Sequence, residues 1–520
     1  MEVFILHSWI VHKALSKAVE KFPDKPFLIM DNEQSITFRK LDEISDYLAS
    51  ALLEEGFNKG DYIGILALNQ VEWLYTYFAT AKIGVGLVAL DVRCKKLELE
   101  YLLKSSKIKG LICNSTSQDF DFASFIINNK TMFNIKKYIF IGEEFDDSLS
   151  FEELIYREPD RKRIEEAKQQ IHEDDTVAVI YTSGTTGWPK GTMLTNKSIL
   201  TSAKALVDHL SLDECDSITG SIPLSHYGGL TCTVHAALLS YGKVLLIPNF
   251  LPESVLEVIH KYKPTVLNEM PAKYTKICNY KGIKKYDVSS VKVCIVGGSN
   301  VDTGICQGII NLFTEASLVN LYGLSETSGA CLLTKLSDPV EKAQKSIGVP
   351  IGDFQAKILD SEKNELSVGL VGEIVIKGNC IAKGYFELKE GTQNTFNLGN
   401  WLFTGDLGYM DHEGYIYYKG QKAEVFRKGE CNIYPVEVEK VISSHHKVSA
   451  VAGIGVTDLF LEAVDKYFII PKEGMSITED ELKDYCRKHL ADFKVPKEIV
   501  FVQQLPLTSS GKVQKFILKK

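Results

Sequence analysis

The chain has 520 residues, which at roughly 150 residues per domain predicts about three globular units. Hydrophobic residues make up 45% of it and charged residues 24%, so we expect large cores and exclude a disordered, collagenous or disulfide-stapled chain. The 59 Lys and Arg against 67 Asp and Glu leave a formal net charge of −8, which argues against nucleic acid or anionic lipid as the main partner. The 11 cysteines are scattered and form no paired motif, which is typical of reduced thiols in a cytoplasmic protein.

Residues 1–22 contain a short apolar stretch that His7 and Ser8 interrupt. The stretch lacks a basic leader and a small-residue cleavage site, so it does not predict a signal peptide. It is shorter than the run of about 18 apolar residues that a membrane span needs, and the sequence has no such run elsewhere. We therefore expect an amphipathic docking helix here and no membrane span.

Strand and helix patterns alternate through the first part of the chain. After a short strand near Ser35, Leu41, Ile44 and Leu48 recur at helical spacing and predict an amphipathic helix. The predicted strands that follow are 62–68, 85–90, 110–113, 176–184, 243–248, 265–270 and 291–298, and the early helices are 73–81 and 97–110. This alternation predicts a parallel sheet that is covered on both faces.

The later part of the chain has a different pattern. Between Asn364 and Tyr418, short strands are closely spaced and joined by Gly and Asn turns, which predicts a small β unit. The last 100 residues or so mix strands and helices again. We predict an α/β protein with a large N-terminal domain (1–420) of parallel-rich sheets, flanking helices and the small β unit. A small, mobile α+β C-terminal domain (421–520) follows a boundary in 420–424.

The most informative stretch is YTSGTTGWPKGTMLTN, residues 181–196. Its run of hydroxyl residues and glycines follows a predicted buried strand, so its backbone N–H groups can form a nest for an anion. Lys190 adds a positive charge for phosphate oxygens, and Pro189 stiffens the loop. The spacing does not fit the GxxxxGK[ST] phosphate loop. A short loop of this composition is often a plain surface turn, but the longer string with its lysine favours a phosphate site.

With this string the chain resembles the adenylate-forming superfamily of acyl-CoA synthetases, luciferases and peptide-synthetase adenylation domains. Three further motifs appear in the family's order: YGLSET (322–327), with Ser325 in the usual Thr place, WLFTGDLG (401–408) and LPLTSSGKVQKFIL (505–518). The resemblance covers essentially the whole chain. It implies that ATP and Mg²⁺ activate a carboxylic acid, and that coenzyme A is the co-substrate of a second step.

The resemblance also implies a set of site residues. Activation brings two anions together, so catalysis depends on positioning and charge neutralisation. The expected catalytic residues are Lys190, Glu326 and Lys512, and the expected Mg²⁺ ligands are Glu326 and Thr185, in keeping with the few carboxylates that Mg²⁺ needs. The expected nucleotide-binding residues are Thr182, Ser183, Gly184, Thr185, Thr186, Gly187, Lys190, Gly298, Ser299, Tyr322, Gly323, Ser325, Asp406, Gln421 and Lys512. Of these, Tyr322 would face the adenine, and Asp406 would bind the ribose diol.

The resemblance places His226, Tyr227, Gly297 and Leu324 at the acyl pocket. A single histidine of this kind is more often structural than catalytic, so we assign His226 to the pocket wall and not to proton transfer. Without their motifs, Glu326 would be interpreted as a surface charge and Lys512 as a solvated terminal lysine.

The segment 418–439 departs from the family's hinge pattern. Gln421 stands where a ribose-binding Arg is usual, so the positive charge is lost. Ala423 occupies the hinge position, and Glu430 replaces the second glycine of a Gly-Gly pair beside the pantetheine passage. These changes leave the adenylation residues in place and predict a weakened thioester step.

The predicted activity is therefore that of an AMP-forming acid–thiol ligase. A carboxylic acid, with a fatty acid as the first expectation, is converted to an acyl-adenylate and then to acyl-CoA, releasing pyrophosphate and AMP. One alternative is an enzyme that loads a separate carrier protein or stops at the adenylate, and another is a catalytically weak nucleotide-binding relative. A homodimer is compatible with the sequence.

Overall fold

The structure is a computed structural model of the chain. It describes residues 8–30, 34–94, 96–117, 120–143, 145–182, 189–298, 301, 303–396, 399, 401–428, 431–456, 464–507 and 513–519.

Within these residues, nine strands form the largest sheet. Its centre is parallel, and antiparallel strands close both edges. From edge to edge the strands are Val349–Pro350, Gly329–Leu333, Ser317–Leu324, Val293–Gly297, Val266–Glu269, Ser217–Gly220, Lys243–Leu246, Pro26–Met30 and Ser35–Thr37. The central strands are rich in buried Val, Ile and Leu, as expected for strands with both faces covered.

A second large sheet has seven strands in the described part of the chain. They are, in spatial order, Lys190–Thr195, Thr176–Thr182, Gly86–Ala89, Tyr62–Leu66, Gly110–Asn114, Lys137–Ile141 and Leu149–Ser150. All neighbours are parallel except the first pair, where Lys190–Thr195 runs antiparallel to Thr176–Thr182. One hydrophobic core joins this sheet to the largest sheet, since Ile65 and Ile180 belong to the same buried cluster as Leu246 and Ile295.

The smaller units lie later in the chain. An antiparallel sheet consists of Gln355–Leu359, Gly372–Lys377, Leu402–Met410 and Ile416–Gln421, so the predicted β unit begins earlier than Asn364. The C-terminal part has a sheet of Val448–Val456, Val464–Pro471 and Glu498–Phe501, and a pair of strands, Phe426–Lys428 and Cys431–Ile433. One further pair of short strands lies earlier in the chain and consists of Thr116–Ser117 and Phe120–Asp121. The division into large sheets, a β unit and a smaller C-terminal part confirms the predicted fold class, whereas the boundary at 420–424 stays a prediction.

Helices cover the sheets. The α-helices are Val11–Lys21, Phe38–Glu54, Val71–Ile83, Lys96–Ser105, Phe122–Asn129, Phe151–Leu154, Arg161–Gln169, Asn196–Leu210, Tyr227–Gly229, Ala236–Leu239, Pro252–Tyr262, Pro271–Cys278, Thr303–Leu312, Val340–Lys345, Lys389–Thr395, Pro435–Ser443, Glu479–His489 and Lys515–Leu518. A π-helical segment spans Leu230–His235, and 3₁₀ turns span Lys130–Met132, Ile283–Lys285, Ser325–Thr327 and Asp492–Lys494. Among the described residues, no helix combines the length and apolarity needed to cross a bilayer.

Local sequence explains several helix ends. The side chain of Thr37 accepts a hydrogen bond from Lys40 N and caps the helix Phe38–Glu54. The helix predicted for 97–110 ends at Ser105, because Lys107 has a φ of 46° and cannot continue it. The expected docking helix is Val11–Lys21, whose buried face includes Leu15 and Ala18.

Parallel topology gathers the site at one edge. Val266–Glu269, Val293–Gly297 and Ser317–Leu324 are adjacent parallel strands, so their carboxyl ends meet at the same edge of the largest sheet. In open α/β sheets, ligands bind beyond these carboxyl ends. Gly297, Tyr322 and the motif that contains Glu326 all lie there.

Candidate functional site

Glu326 is held at the end of the strand Ser317–Leu324. It lies in the 3₁₀ turn Ser325–Thr327 and is partly buried. Tyr385 Oη donates a hydrogen bond of 2.6 Å to Glu326 Oε1, and Ala382 N donates one of 2.9 Å to the backbone carbonyl of Glu326. Both side chain and backbone are therefore fixed by a segment about 60 residues away in sequence.

Tyr385 also connects Glu326 to Lys190. The segment that contains Tyr385 runs beside the edge strand Lys190–Thr195, where Met193 N donates to Gly384 O at 2.9 Å. Lys190 Nζ lies 5.3 Å from the centroid of the Tyr385 ring, a cation–π distance. Burial, and then the charge of Glu326, raise the pKa of Tyr385, so its hydroxyl stays a neutral donor to the carboxylate.

The cluster of Lys190, Tyr385 and Glu326 suits a phosphate–metal site. One Glu326 oxygen accepts from Tyr385, and Oε2 has no hydrogen-bond partner among the described residues. The described residues contain no group of three or more His, Cys, Asp and Glu side chains that could bind a metal by themselves. Mg²⁺ is commonly held by one or two carboxylates together with phosphate oxygens, so this carboxylate fits a Mg²⁺ ion that arrives with a nucleotide.

Tyr322 and Asp406 contact each other directly. Tyr322 Oη donates a hydrogen bond of 2.7 Å to Asp406 Oδ2, and Asp406 is only 5% exposed. Burial and the Asp406 charge raise the pKa of Tyr322 well above its usual range. Asp406 pairs across the strands with Gln421. The structure thus brings together three residues that the sequence assigned to the adenine and the ribose.

A narrow cavity of about 20 Å³ adjoins this edge of the sheet. The residues that line it are Ile222, His226, Tyr227, Gly228, Cys232, Asn268, Glu269, Met270, Gly297, Gly298 and Leu321. Three of the four expected acyl-pocket residues and Gly298 are among them. From the strand Ser317–Leu324, Leu321 lines the cavity in the described structure and Leu324 does not.

His226 is a structural part of the cavity wall. Its Nδ1 accepts a hydrogen bond of 3.0 Å from Gly228 N and caps a short helix. Burial lowers the pKa of His226 to about 4, so the imidazole is neutral at pH 7. Tyr227 Oη donates to Gly323 O at 2.8 Å and ties the cavity wall to the YGLSET motif. This geometry agrees with a wall role and gives no support to proton transfer.

Glycines are required at the back of the cavity. A Cβ atom at Gly297 would lie 2.4 Å from Leu321 O, a backbone atom that cannot move aside easily. Gly298 has a φ of +84°, a region that other residues rarely adopt. The GG pair therefore lets the chain turn close to the neighbouring strand.

Several expected residues lie outside the described residues, namely Ser183, Gly184, Thr185, Thr186, Gly187, Ser299, Glu430 and Lys512. The two residues that flank the proposed phosphate loop are described. Thr182 and Lys190 are cross-strand neighbours, and Thr182 Oγ1 donates to Lys190 O at 3.3 Å.

The sequence analysis missed two residues of the site. Tyr385 carries no motif of its own, and only the fold places it between Glu326 and Lys190. Glu269 has a weak sequence signal, because it is a charged residue at the end of the otherwise apolar strand Val266–Glu269.

Comparisons with known proteins cover nearly the whole chain. Residues 15–386 match the family model described as AMP-binding enzyme, and residues 437–512 match the AMP-binding enzyme C-terminal domain. The chain is similar to a putative acyl-CoA synthetase, YngI, of Bacillus subtilis, with 29% identity covering 99% of this chain and 97% of the relative. It is also 29% identical to the mitochondrial medium-chain acyl-CoA ligase ACSF2 of Homo sapiens, covering 99% and 88% of the two chains.

Two solved structures illustrate the similarity of fold. The first is an anthranilate CoA ligase in complex with anthranoyl-AMP, with a TM-score of 0.89, 25% identity and coverage of 99% and 97% of the two chains. The second is ATP-bound MatB from Rhodopseudomonas palustris, with a TM-score of 0.87, 25% identity and coverage of 98% of each chain.

Proposed function

Because the chain belongs to the AMP-binding enzyme family and is an AMP-forming acid–thiol ligase, we propose that it joins a carboxylic acid to coenzyme A through an acyl-adenylate. A carboxylate oxygen attacks the α-phosphorus of ATP and pyrophosphate leaves. The thiolate sulfur of coenzyme A then attacks the acyl carbon, and AMP leaves. Fatty acids are the first class to test, since a relative is named a medium-chain acyl-CoA ligase.

The observation that carries this proposal is the cluster of Lys190, Tyr385 and Glu326 beside the predicted phosphate loop. Bound Mg²⁺ would neutralise charge on the phosphates, and Glu326 is the residue here that would hold it. Tyr385 holds the Glu326 carboxylate in one orientation through its 2.6 Å hydrogen bond. Lys190 adds a positive charge on the same side, so the site is arranged before substrates bind.

The remaining assigned residues orient the other parts of the substrates. Tyr322 and Asp406 provide an aromatic ring and a carboxylate for the adenosine, and Lys512 would neutralise the contact between the attacking carboxylate and the α-phosphate. Neutral His226 and Tyr227 shape the acyl cavity. Glycines at 297 and 298 allow the acyl chain and nucleotide to approach the backbone closely.

A second candidate function is supported by particular residues. Gln421 stands where the family has a ribose-binding Arg, and Glu430 replaces a Gly that the resemblance places beside the pantetheine passage. They favour an enzyme that loads a carrier protein or stops at the adenylate. A catalytically weak nucleotide-binding protein is disfavoured, because Lys190, Glu326, Asp406 and Lys512 are all present.

The test is mass spectrometry of the products formed from ATP, Mg²⁺ and a pool of carboxylic acids, with and without coenzyme A. We expect acyl-CoA when coenzyme A is present. Acyl-AMP that accumulates in both reactions would favour the second candidate. ATP that stays intact with every acid would contradict both functions. A cytoplasmic location and a homodimer are further predictions, to be tested by fractionation and by sedimentation.

A further inference from the structure

Glu269 is a buried carboxylate in the wall of the acyl cavity. It is the last residue of the strand Val266–Glu269 and its side chain is completely inaccessible to solvent. A carboxylate without water or adequate partners is costly in a protein interior. The residues that follow, Met270 and Pro271, begin the next helix, so the carboxylate is fixed at a rigid corner of the fold.

Lys273 is the counterion of Glu269. It lies one helical turn later, with Nζ 3.2 Å from Glu269 Oε2 and its side chain 15% exposed. The ammonium also donates to Ser221 O at 2.7 Å and to Ser221 Oγ at 3.1 Å. The two hydrogen bonds to Ser221 use two of the three donors of the lysine, and the contact with Glu269 is an ion pair. Burial raises the pKa of Glu269 and lowers that of Lys273, so both charges depend on this pairing.

The Glu269 carboxylate can still accept hydrogen bonds. Neither Oε1 nor Oε2 has a hydrogen-bond partner among the described residues, and Oε2 lies at ion-pair distance from Lys273. Since an ionised carboxylate offers only acceptors, a group that completes this corner must donate a hydrogen bond. The neighbouring cavity residues Met270, Gly297 and Leu321 provide no such donor side chain.

We propose that Glu269 selects carboxylic acids that carry a hydroxyl or amino group, which donates a hydrogen bond to the Glu269 carboxylate. At about 20 Å³, the cavity has room for one polar group of that size. This inference rests on the proposed function and specifies its substrate class. An unsubstituted acid leaves the carboxylate oxygen unpartnered in the closed site, so it binds its transition state less well. Glu269 is thus a specificity residue and not part of the adenylation chemistry.

The experiment measures kcat/KM for pyrophosphate release with matched acids. Hexanoate and benzoate are each compared with their positional hydroxyl and amino derivatives, and with the O-methyl ethers, which keep the oxygen but lose the donor. On the unmodified protein we expect at least one donor-bearing acid to exceed its unsubstituted and O-methyl counterparts by about 10- to 100-fold, as for a hydrogen bond to a charged group.

Substitutions of Glu269 then test whether this residue causes the preference for donor-bearing acids. Glu269→Gln keeps the shape and is expected to reduce the preference about 10-fold, because a neutral acceptor forms a weaker hydrogen bond. The double variant Glu269→Leu/Lys273→Met removes both charges together and should abolish the preference without leaving a lone buried charge. Glu257→Gln, at an exposed site, is the matched control and should keep the preference of the unmodified protein. The KM for ATP should stay constant throughout.

The outcomes separate this inference from the proposed function. If unsubstituted and O-methyl acids react as well as their donor-bearing counterparts, the inference is overturned while the ligase activity stands. An unchanged preference in Glu269→Gln would likewise overturn it and leave Glu269 with a structural role. If no acid releases pyrophosphate from ATP, the proposed function itself fails.

Discussion

Two carboxylates at the same edge of the largest sheet have contrasting surroundings. Glu326 is partly buried, and a neutral tyrosine hydroxyl orients one of its oxygens. Glu269 is fully buried and forms an ion pair with the Lys273 ammonium, and neither of its oxygens has a hydrogen-bond partner in the described structure. The first environment suits a metal that arrives with phosphate, and the second suits a hydrogen-bond donor on an organic substrate.

Under the proposed function, this difference separates the two halves of the site. We assign the cluster around Glu326 to the nucleotide, which is common to every acid, and the cavity around Glu269 to the acid. Variants of the nucleotide half should therefore lower the rate for all acids by a common factor, whereas variants of the cavity should change the ratio between acids.

The largest effect is expected for Lys512→Ala. The variant removes the positive charge assigned to the carboxylate–phosphate contact, so pyrophosphate release should fall by about 100-fold or more for every acid. Thiolysis of a supplied acyl-adenylate should be largely retained, which a coupled assay of acyl-CoA can measure. Lys519→Ala, an exposed lysine near the C-terminus, is the control. Equal loss of both half-reactions would remove Lys512 from this role.

Tyr385→Phe should have an intermediate effect. Loss of the hydroxyl frees the Glu326 carboxylate to reorient, so the apparent affinity for Mg²⁺ in pyrophosphate release should fall roughly 10-fold, as for other partners of metal ligands. The relative preference among acids should not change. The exposed Tyr156 offers the matched control Tyr156→Phe. An unchanged Mg²⁺ titration would show that the hydrogen bond does not serve the metal site.

Glu430→Gly should produce a smaller, favourable effect on the second half-reaction. The substitution should remove an unfavourable charge contact of up to about 1 kcal/mol near the thiol passage. This energy corresponds to about a fivefold change in rate, so the thioester step should accelerate by up to about fivefold. Stopped-flow measurement of acyl-CoA formation from preformed acyl-adenylate isolates this step. Glu473→Gly, at an exposed position, controls for the added glycine. The hypothesis fails if the thioester rate does not change.

The smallest expected effect concerns stability and pH. Burial lowers the pKa of His12 to about 3, of His235 to about 3 and of His226 to about 4. Below a pH of about 6.5 the unfolded chain binds a proton at each of these three histidines, whereas the folded chain does not. The free energy of unfolding should therefore fall as the pH falls from about 6.5 towards 4. Between pH 7 and 6, each histidine should lower the free energy of unfolding by somewhat less than about 1 kcal/mol.

Urea unfolding at a series of pH values tests this prediction. His12→Gln should flatten the dependence, because it removes one of the titrating groups. His412→Gln, at an exposed position, should leave it unchanged. A profile that is flat from pH 7 to 5 would contradict the assignment. The acid preference should stay constant between pH 6 and 8, since His226 does not titrate there.

Much of the fold was predictable because it depends on local patterns. Apolar runs and helical periodicity located the strands near Tyr62, Gly86 and Val293, and the structure confirms them within one or two residues at their starts. Differences occurred at element ends, as at Lys107, where a positive φ stops a helix, and at the start of the β unit, whose first strand is Gln355–Leu359. The motifs likewise marked Lys190, Glu326 and Asp406, whose roles remain predictions.

The sequence by itself determined the fold class and the family, because these depend on residue patterns within elements and short segments. It also predicted the residues of the nucleotide site, whose types suit phosphate and metal chemistry. Only the tertiary structure decided that Tyr385 joins Glu326 to Lys190, that Tyr322 bonds to Asp406, and that Glu269 is buried with an unpartnered oxygen. Burial and hydrogen-bond satisfaction depend on groups brought together from distant parts of the chain. No local pattern of residues contains that information.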